Sequence, residues 1–104
     1  MQDKFLSAIG LARRSGKAVY GTEQVRNLAK AGKARLIILA SDASESTKKE
    51  IIDTASFYNA DYVSLNYTMA ELSSASGLFR NISSIAITDE NIATLVKNSI
   101  STKM

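Results

Sequence analysis

The sequence predicts an α/β fold, a three-layer α/β/α sandwich, formed as a single domain over residues 1–104. Segments with helical periodicity alternate with short apolar runs, which is the pattern of helices packed on both faces of a sheet. The length of 104 residues and the 45% share of apolar residues suffice for one core. Because proline is absent and the five glycines are scattered, no linker divides the chain.

The first two helices are predicted on either side of a short strand. Residues 3–14 are predicted to form the first helix, because apolar side chains recur on one helical face. That face consists of Phe5, Ala8, Ile9 and Ala12. Gly16 can cap the end of this helix, and an extended segment at 18–20 leads to Gly21. Thr22 is predicted to cap a second helix over residues 23–31, whose buried stripe is Val25, Leu28 and Ala29.

The remainder of the chain alternates strands and helices. The continuous apolar run 36–40 predicts a central strand buried on both faces, and shorter strands are expected at 62–65 and 85–87. Hydroxyl groups at 44–47 precede a third helix, a capping box begins a fourth at Thr68, and Asp89 opens the final one. The side chains expected to face inward on the third and final helices are Ile51, Ile52, Ala55, Tyr58, Ile92, Leu95 and Val96.

The composition excludes most small catalytic sites. The chain has no cysteine, which excludes disulfides and thiolate nucleophiles, and no histidine, the commonest general base and metal ligand. No segment approaches the ~20 apolar residues of a membrane-spanning helix. Arg13 and Arg14 follow the apolar N-terminal stretch instead of preceding it, unlike a secretory signal. The sequence therefore predicts a cytoplasmic protein with no cofactor, no metal site and no membrane partner.

Two carboxylates offer the remaining route to catalysis. Asp42 and Asp89 each follow an apolar strand and are expected together at the carboxyl edge of the sheet. There they could hold Mg²⁺ or act as an acid–base pair. The alternative is that each caps a turn or a helix start, as aspartate commonly does. Because no histidine or cysteine can assist them, we expect no enzymatic activity.

Positive charge is concentrated in the first half of the chain. Residues 1–50 contain ten Lys/Arg and five Asp/Glu, whereas residues 51–104 contain three and five. Residues 13–35 contain seven basic residues and one acidic residue, Glu23. A basic stretch on an otherwise near-neutral domain predicts an anionic partner, with nucleic acid as the first candidate.

The turn before the second helix is the first candidate binding site. Gly21 permits a close backbone approach, and the helix N-terminus after it offers unpaired N–H groups to a phosphate. Nearby cations could neutralise phosphates, namely Arg14, Lys17, Lys33 and Arg35. Side chains of the first turn could read base edges, namely Glu23, Gln24 and Asn27. The alternative is an ordinary turn and cap with a solvated charged face.

The loop before the last strand is the second candidate site. It consists of Leu78, Phe79, Arg80, Asn81 and Ile82. An exposed Leu78 or Phe79 could stack on an unpaired base, with Arg80 near the RNA backbone. The alternative is that both apolar side chains are core residues beneath the sheet.

Several sequence blocks carry a family resemblance. They are ARRSGK (12–17), GT (21–22), AGKARLIILASD (31–42), ELSSASG (71–77) and IAITD (85–89). In this order they resemble the kink-turn RNA-binding ribosomal proteins of the L7Ae/L30e group, especially its short bacterial YlxQ-type members. The resemblance implies a mixed four-stranded sheet between helices and no catalytic activity. It also implies binding of structured RNA, either ribosomal RNA or another kink-turn RNA with an internal loop and tandem G·A pairs.

The resemblance further implies which residues contact the RNA. Relatives meet the G·A pairs with a Gly-x-Asn-Glu-x-x-Lys sequence, and the matching positions here are Gly21, Thr22, Glu23, Gln24 and Asn27. Gln24 can still hydrogen-bond a base edge, whereas Asn27 lacks the charge of the lysine it replaces. Glu23 brings a negative charge towards the RNA unless Arg26 neutralises it. Ser73 stands where relatives have glycine, and the loop at 78–82 matches a second RNA contact.

These observations predict a non-catalytic RNA-binding protein of the ribosome or the translation machinery. Arg14, Lys17 and Lys33 are expected to determine the affinity, and Gln24 and Asn27 the specificity. The alternative is a protein-interaction adaptor on the same fold, with contacts in the acidic second half of the chain. A metal-dependent enzyme that uses the two aspartates is a third hypothesis.

Overall fold

The computed structural model describes residues 3–100, which form five helices and four strands. In chain order these are α1 (Lys4–Arg14), β1 (Ala18–Tyr20), α2 (Thr22–Lys30), β2 (Leu36–Leu39), α3 (Glu45–Phe57), β3 (Tyr62–Ser64), α4 (Met69–Ala75), β4 (Ser84–Ile87) and α5 (Glu90–Ile100). The predicted order of helices and strands is confirmed. Within the described range, no helix has the length and apolar character needed to cross a membrane.

The four strands form one mixed sheet in the order β1-β4-β2-β3. β4 runs antiparallel to both β1 and β2, whereas β2 and β3 are parallel. α1 packs against α4 and α5 as one helical layer, and α2 packs against α3 as the other. The central strands β2 and β4 are buried along their whole length, as their apolar runs predict. The predicted α/β/α sandwich with a mixed four-stranded sheet is therefore confirmed.

The sheet has two ends at which the loops emerge. At one end β1 finishes and β4 begins, and the N–H of Gly21 donates to the carbonyl of Ser84 at 3.0 Å. At the other end β1 begins and β4 finishes, and the carbonyl of Lys17 accepts from the N–H of Thr88 at 2.9 Å. We call these the glycine end and the lysine end. Gly21 is four residue steps along extended chain from Lys17, about 13 Å at ~3.3 Å per step.

Asp42 and Asp89 lie at opposite ends of the sheet, so the prediction of a shared edge was wrong. Asp42 follows β2 at the glycine end, and Asp89 follows β4 at the lysine end, because these two strands are antiparallel. Asp42 Oδ1 accepts from the N–H of Met69 at 2.8 Å, and Asp89 Oδ2 accepts from the N–H of Ile92 at 3.0 Å. Each aspartate therefore serves the start of a helix. Residues 3–100 contain no cluster of three potential metal-ligating side chains.

Two residues predicted to face inward are exposed. Tyr58 is 40% exposed because α3 ends before it, and its backbone no longer follows the helical stripe. Leu95 is 43% exposed because it lies about 100° around α5 from Val96, which is fully buried. The other inward-facing predictions on α3 and α5 are buried or pack against the core.

An aromatic stack holds α1 against the segment that precedes α4. The rings of Phe5 and Tyr67 are stacked with centroids 4.5 Å apart, and both side chains are fully buried. The Tyr67 hydroxyl donates to Asp3 Oδ2 at 2.7 Å, while Asp3 Oδ1 accepts from the first-turn N–H groups of α1. Burial, followed by this hydrogen bond, raises the pKa of Tyr67 well above its usual value.

Candidate nucleic-acid interface

The turn between β1 and α2 lies beside the loop that precedes β4. The N–H of Gly21 donates to the carbonyl of Ser84, and Thr22 Oγ1 is 2.9 Å from Ser83 Oγ, a hydrogen bond between residues 61 apart. Because Ser83 and Ser84 directly follow the loop, these two bonds hold the turn against its end. Two segments that the sequence singled out separately therefore form one surface at the glycine end.

The geometry of this turn depends on Gly21. Its φ of 94° and ψ of 152° lie in a backbone region that is essentially restricted to glycine. A Cβ at this position would have no atom within 4 Å, so the requirement comes from the backbone and not from crowding. Thr22 was predicted as the N-cap, and this was wrong. The chain turns at Gly21, which becomes the N-cap, and the Thr22 hydroxyl is hydrogen-bonded to Ser83.

The N-terminus of α2 differs from those of the other four helices in its capping. Side-chain oxygens accept first-turn N–H groups in those four, and the residues that provide them are Asp3, Ser44, Thr68 and Asp89. Gly21 has no side chain, and within residues 3–100 no side-chain cap is present on α2. The first turn of α2 therefore retains N–H groups for an external acceptor, and the partial positive charge of the helix end favours an anion.

The first two turns of α2 present both polar and charged side chains. Glu23, Gln24 and Asn27 are exposed, so their amide and carboxylate groups are accessible to a partner. Arg26 is half-buried and forms an ion pair with Glu50 of α3. Arg26 therefore does not neutralise Glu23, which belongs to none of the ion pairs among the described residues.

The loop before β4 divides into anchored and exposed side chains. Phe79 is fully exposed, and Arg80 and Asn81 are exposed beside it. Ile82 is only 2% exposed, and Leu78 is half-buried against the core. The two alternatives considered from the sequence each hold for part of the loop, because Leu78 and Ile82 anchor it while Phe79 remains free to stack on a partner.

Ser73 of α4 anchors both ends of this loop. Its carbonyl accepts from the N–H of Leu78 at 3.0 Å, and its Oγ accepts from the N–H of Ile82 at 3.0 Å in the protein interior. Ser73 stands where relatives have glycine, and the sequence predicted no role for its side chain. A glycine could not provide the second bond. No local sequence signal indicates this contact, because it joins a helix side chain to a backbone group nine residues away.

The predicted cations do not gather at the glycine end. Lys17 precedes β1, and Lys33 precedes β2, so both lie at the lysine end. Arg14 folds back along α1, where its Nη1 would be 3.3 Å from a Cβ on Gly10, and it lines the groove between α1 and α4. The structure therefore joins the α2 turn to the loop at the glycine end, whereas Lys17 and Lys33 lie at the opposite end.

Comparisons with known proteins identify the family to which the chain is similar. The family described as Ribosomal protein L7Ae/L30e/S12e/Gadd45 matches residues 3–97. The RNA-binding protein YlxQ of Enterococcus faecium is 33% identical over 99 residues, which cover 95% of this chain and 93% of that protein. The large ribosomal subunit protein eL30 of Sulfurisphaera tokodaii is 28% identical over 93 residues, which cover 89% of this chain and 88% of that protein.

A solved structure shows the same fold over nearly the whole chain. It is a protein with unknown function from Bacillus halodurans C, with a TM-score of 0.89 and 29% identity over 96% of this chain and 99% of that chain. The two named relatives are an RNA-binding protein and a ribosomal protein. These matches confirm the resemblance identified in the sequence and the prediction that the chain is not an enzyme.

Proposed function

Because the chain belongs to the Ribosomal protein L7Ae/L30e/S12e/Gadd45 family, we propose that it is a non-catalytic RNA-binding protein of the ribosome or the translation machinery. Its target is a kink-turn RNA, or another RNA that bends sharply at an internal loop, and it acts in the cytoplasm. One observation carries the proposal: the uncapped N-terminus of α2 lies beside a loop with an exposed aromatic tip. A bent RNA offers both a closely approaching phosphate and an unstacked base to such a surface.

The α2 turn would bind the bend itself. A phosphate oxygen can accept from the free N–H groups of the first turn, and the absence of a side chain at Gly21 lets the backbone approach closely. Gln24 has both a donor and an acceptor for a base edge, and the Asn27 amide lies on the next turn of the same helix. Thr22 keeps its hydroxyl on Ser83 and maintains the geometry of the site.

The loop would bind an unstacked base. Phe79 presents its whole ring to solvent, and stacking on an aromatic ring contributes about 1–3 kcal/mol per base. Arg80 and Asn81 are exposed next to it and can contact the adjacent phosphate or base edge. The half-buried Leu78 and the buried Ile82 anchor the loop to the core on either side of this tip.

Cations outside the α2 turn and the loop would increase the affinity without reading the base sequence of the RNA. Arg14, Lys17 and Lys33 are exposed, and none of them forms an ion pair among the described residues. Contacts to phosphates position an RNA and add affinity, whereas contacts to base edges give specificity. Glu23 opposes this attraction because its carboxylate has no neutralising partner.

A titration of two fluorescent RNAs tests the proposal. One is a kink-turn RNA, and the other is the same duplex with its G·A pairs replaced by Watson–Crick pairs, each measured at two salt concentrations. We expect the kinked RNA to bind at least about ten-fold more tightly, or ~1.4 kcal/mol. Equal and strongly salt-dependent binding of both would contradict recognition of the bend. Binding of neither RNA would contradict the whole proposal and favour a protein-interaction adaptor.

Two substitutions separate affinity from specificity. Lys17→Glu should weaken the binding of both RNAs by a similar factor, because a phosphate contact does not distinguish between them. Gln24→Ala should mainly reduce the ratio between the two affinities. Lys4→Glu is the matched control for charge, since Lys4 is exposed on α1, which belongs to the helical layer opposite α2. Equal effects of Lys17→Glu and Gln24→Ala on that ratio would contradict this division.

A further inference from the structure

Four exposed cations gather at the lysine end of the sheet without acidic partners. They are Lys17, Lys30, Lys33 and Arg35. The ion pairs among residues 3–100 involve other cations, on α2, α3 and α5. The basic character that the sequence showed between residues 13 and 35 therefore appears in the fold as unneutralised charge at this end.

Backbone hydrogen bonds place three of these four residues at the same end of the sheet, and Lys30 ends α2 there. The N–H of Arg35 donates to the carbonyl of Ile87 at 2.8 Å, while the carbonyl of Lys17 accepts from Thr88 on the other side of β4. With neighbouring strands ~4.8 Å apart, the two backbones lie about 10 Å from each other. The N–H of Lys33 donates to the carbonyl of Leu28 at 3.1 Å, which holds the turn after α2 against the C-terminus of that helix.

The carboxylates nearest to this surface do not neutralise it. Asp61 lies beside β2 but is bound to Lys97 at 2.7 Å, and hydrogen bonding to Asp61 raises the pKa of Lys97. Asp89 caps α5 and Glu90 is its first residue. Because α5 packs with α1, both carboxylates belong to the helical layer opposite α2 and α3. Each of the C-termini of α2 and α3 contributes only about −0.5 charge, which four cations outweigh.

Two exposed aromatic side chains lie at the same end. Phe57 is 78% exposed and Tyr58 is 40% exposed, and their rings meet edge to face with centroids 4.9 Å apart. Both are at the C-terminus of α3, which runs alongside α2 from the glycine end and is joined to it by the ion pair between Arg26 and Glu50. The N–H of Ile37, two residues after Arg35, donates to the carbonyl of Asp61, three residues after Tyr58, so the chain that leaves α3 reaches the sheet at the end where Arg35 lies.

We propose that these four cations and two aromatic side chains form a second RNA-binding surface, which takes a single-stranded segment flanking the bent RNA. The inference rests on the proposed function and adds a second RNA contact to it. A surface of cations without acidic partners beside exposed aromatic rings is suited to single strands, because phosphates follow the charges while any base can stack on a ring. The α2 helix separates the two surfaces by about 13 Å, so one protein molecule can contact both.

The test measures how much a single-stranded extension improves binding. The probes are the blunt kink-turn RNA, the same RNA carrying a single-stranded extension of about eight uridines on one strand or on the other, and a free oligouridine of about twelve nucleotides. We expect the extension to tighten binding of the unaltered protein about five-fold or more, the lower limit for one stacked base. The ratio of extended to blunt affinity is the readout, because a general electrostatic effect cancels in it.

Matched variants assign this gain to the surface. Phe57→Ala and Lys33→Glu should reduce the gain to less than about two-fold. The controls Leu95→Ala, an exposed apolar side chain on α5, and Lys4→Glu should preserve it. No gain in the unaltered protein, or an equal gain in Phe57→Ala and Leu95→Ala, would overturn the proposal.

Free oligouridine distinguishes failure of this surface from failure of the proposed function. If the protein does not prefer the kinked RNA but binds oligouridine, and Phe57→Ala weakens that binding, then the second surface stands and the α2 site fails. If the kinked RNA is preferred but oligouridine and the extensions contribute nothing, the α2 site stands and the second surface is refuted.

Discussion

Gly21→Ala isolates the contribution of backbone geometry to the α2 turn. The glycine has φ 94° and ψ 152°, and a Cβ there meets no atom within 4 Å. The substitution therefore adds no clash, and its cost comes from forcing an L-residue into a region that disfavours it, about 1–3 kcal/mol. At about 4–8 °C per kcal/mol for a chain of this size, the melting temperature should fall by several degrees or more.

The same substitution should also lower RNA selectivity. Relief of the strain requires the backbone to rotate at Gly21, which moves its N–H away from Ser84 and Thr22 away from Ser83. We expect the preference for kinked RNA to decrease together with the melting temperature. Thermal unfolding followed by circular dichroism and the two-RNA titration provide the two measurements.

Two comparisons make this reasoning refutable. D-alanine at position 21, introduced by chemical ligation, fits a positive φ and should preserve both stability and selectivity. Gly16→Ala also places an L-residue at positive φ, 70°, with no atom near its Cβ, but far from the α2 turn. It should lower stability and leave selectivity unchanged. If L-alanine at position 21 is harmless, or if D-alanine is equally harmful, the backbone argument is wrong.

Two further predictions concern the packing that supports the site. Ser73→Ala removes the acceptor of the buried Ile82 N–H, which should cost about 1–3 kcal/mol in urea unfolding and speed proteolysis of the loop; unchanged protease resistance would contradict the anchoring role. Tyr67 has a raised pKa, so its neutral form stabilises the fold fully below pH ~10, and this contribution is lost as the pH rises through the folded-state value. Tyr67→Phe should therefore lose less stability between pH 9 and 11 than the unaltered protein, and an identical loss would refute the assignment.

Local patterns predicted the elements of this fold well because their causes are local. The hydroxyl of Ser44 and the capping box at Thr68 lie within three residues of the N–H groups they accept, and both were predicted. The run at 36–40 predicted a buried strand because its burial on both faces requires continuous apolar residues. Burial was predicted wrongly for two side chains. Tyr58 follows the end of α3, and Leu95 lies outside the buried face of α5.

The arrangement of the candidate site was harder to predict because it depends on strand direction. Apolar runs do not reveal whether two strands are antiparallel, so Asp42 and Asp89 were expected together and lie at opposite ends. Likewise, Lys17 is close in sequence to Gln24, but β1 lies between them and carries the chain from one end of the sheet to the other. The bond from Ser73 to the loop is specified only when the whole chain has folded.

The missing cap on α2 links ligand binding to local folding. Four helices complete their first turns with their own side chains, and the start of α2 does not. The amide hydrogens of that turn should therefore exchange with solvent faster than those at the other helix starts, because a smaller opening free energy protects them. A phosphate that accepts hydrogen bonds from these N–H groups would both slow their exchange and order the turn. Part of the free energy of RNA binding would then offset the cost of ordering this turn. The affinity for RNA therefore also depends on the fraction of unbound protein in which the first turn of α2 is already helical.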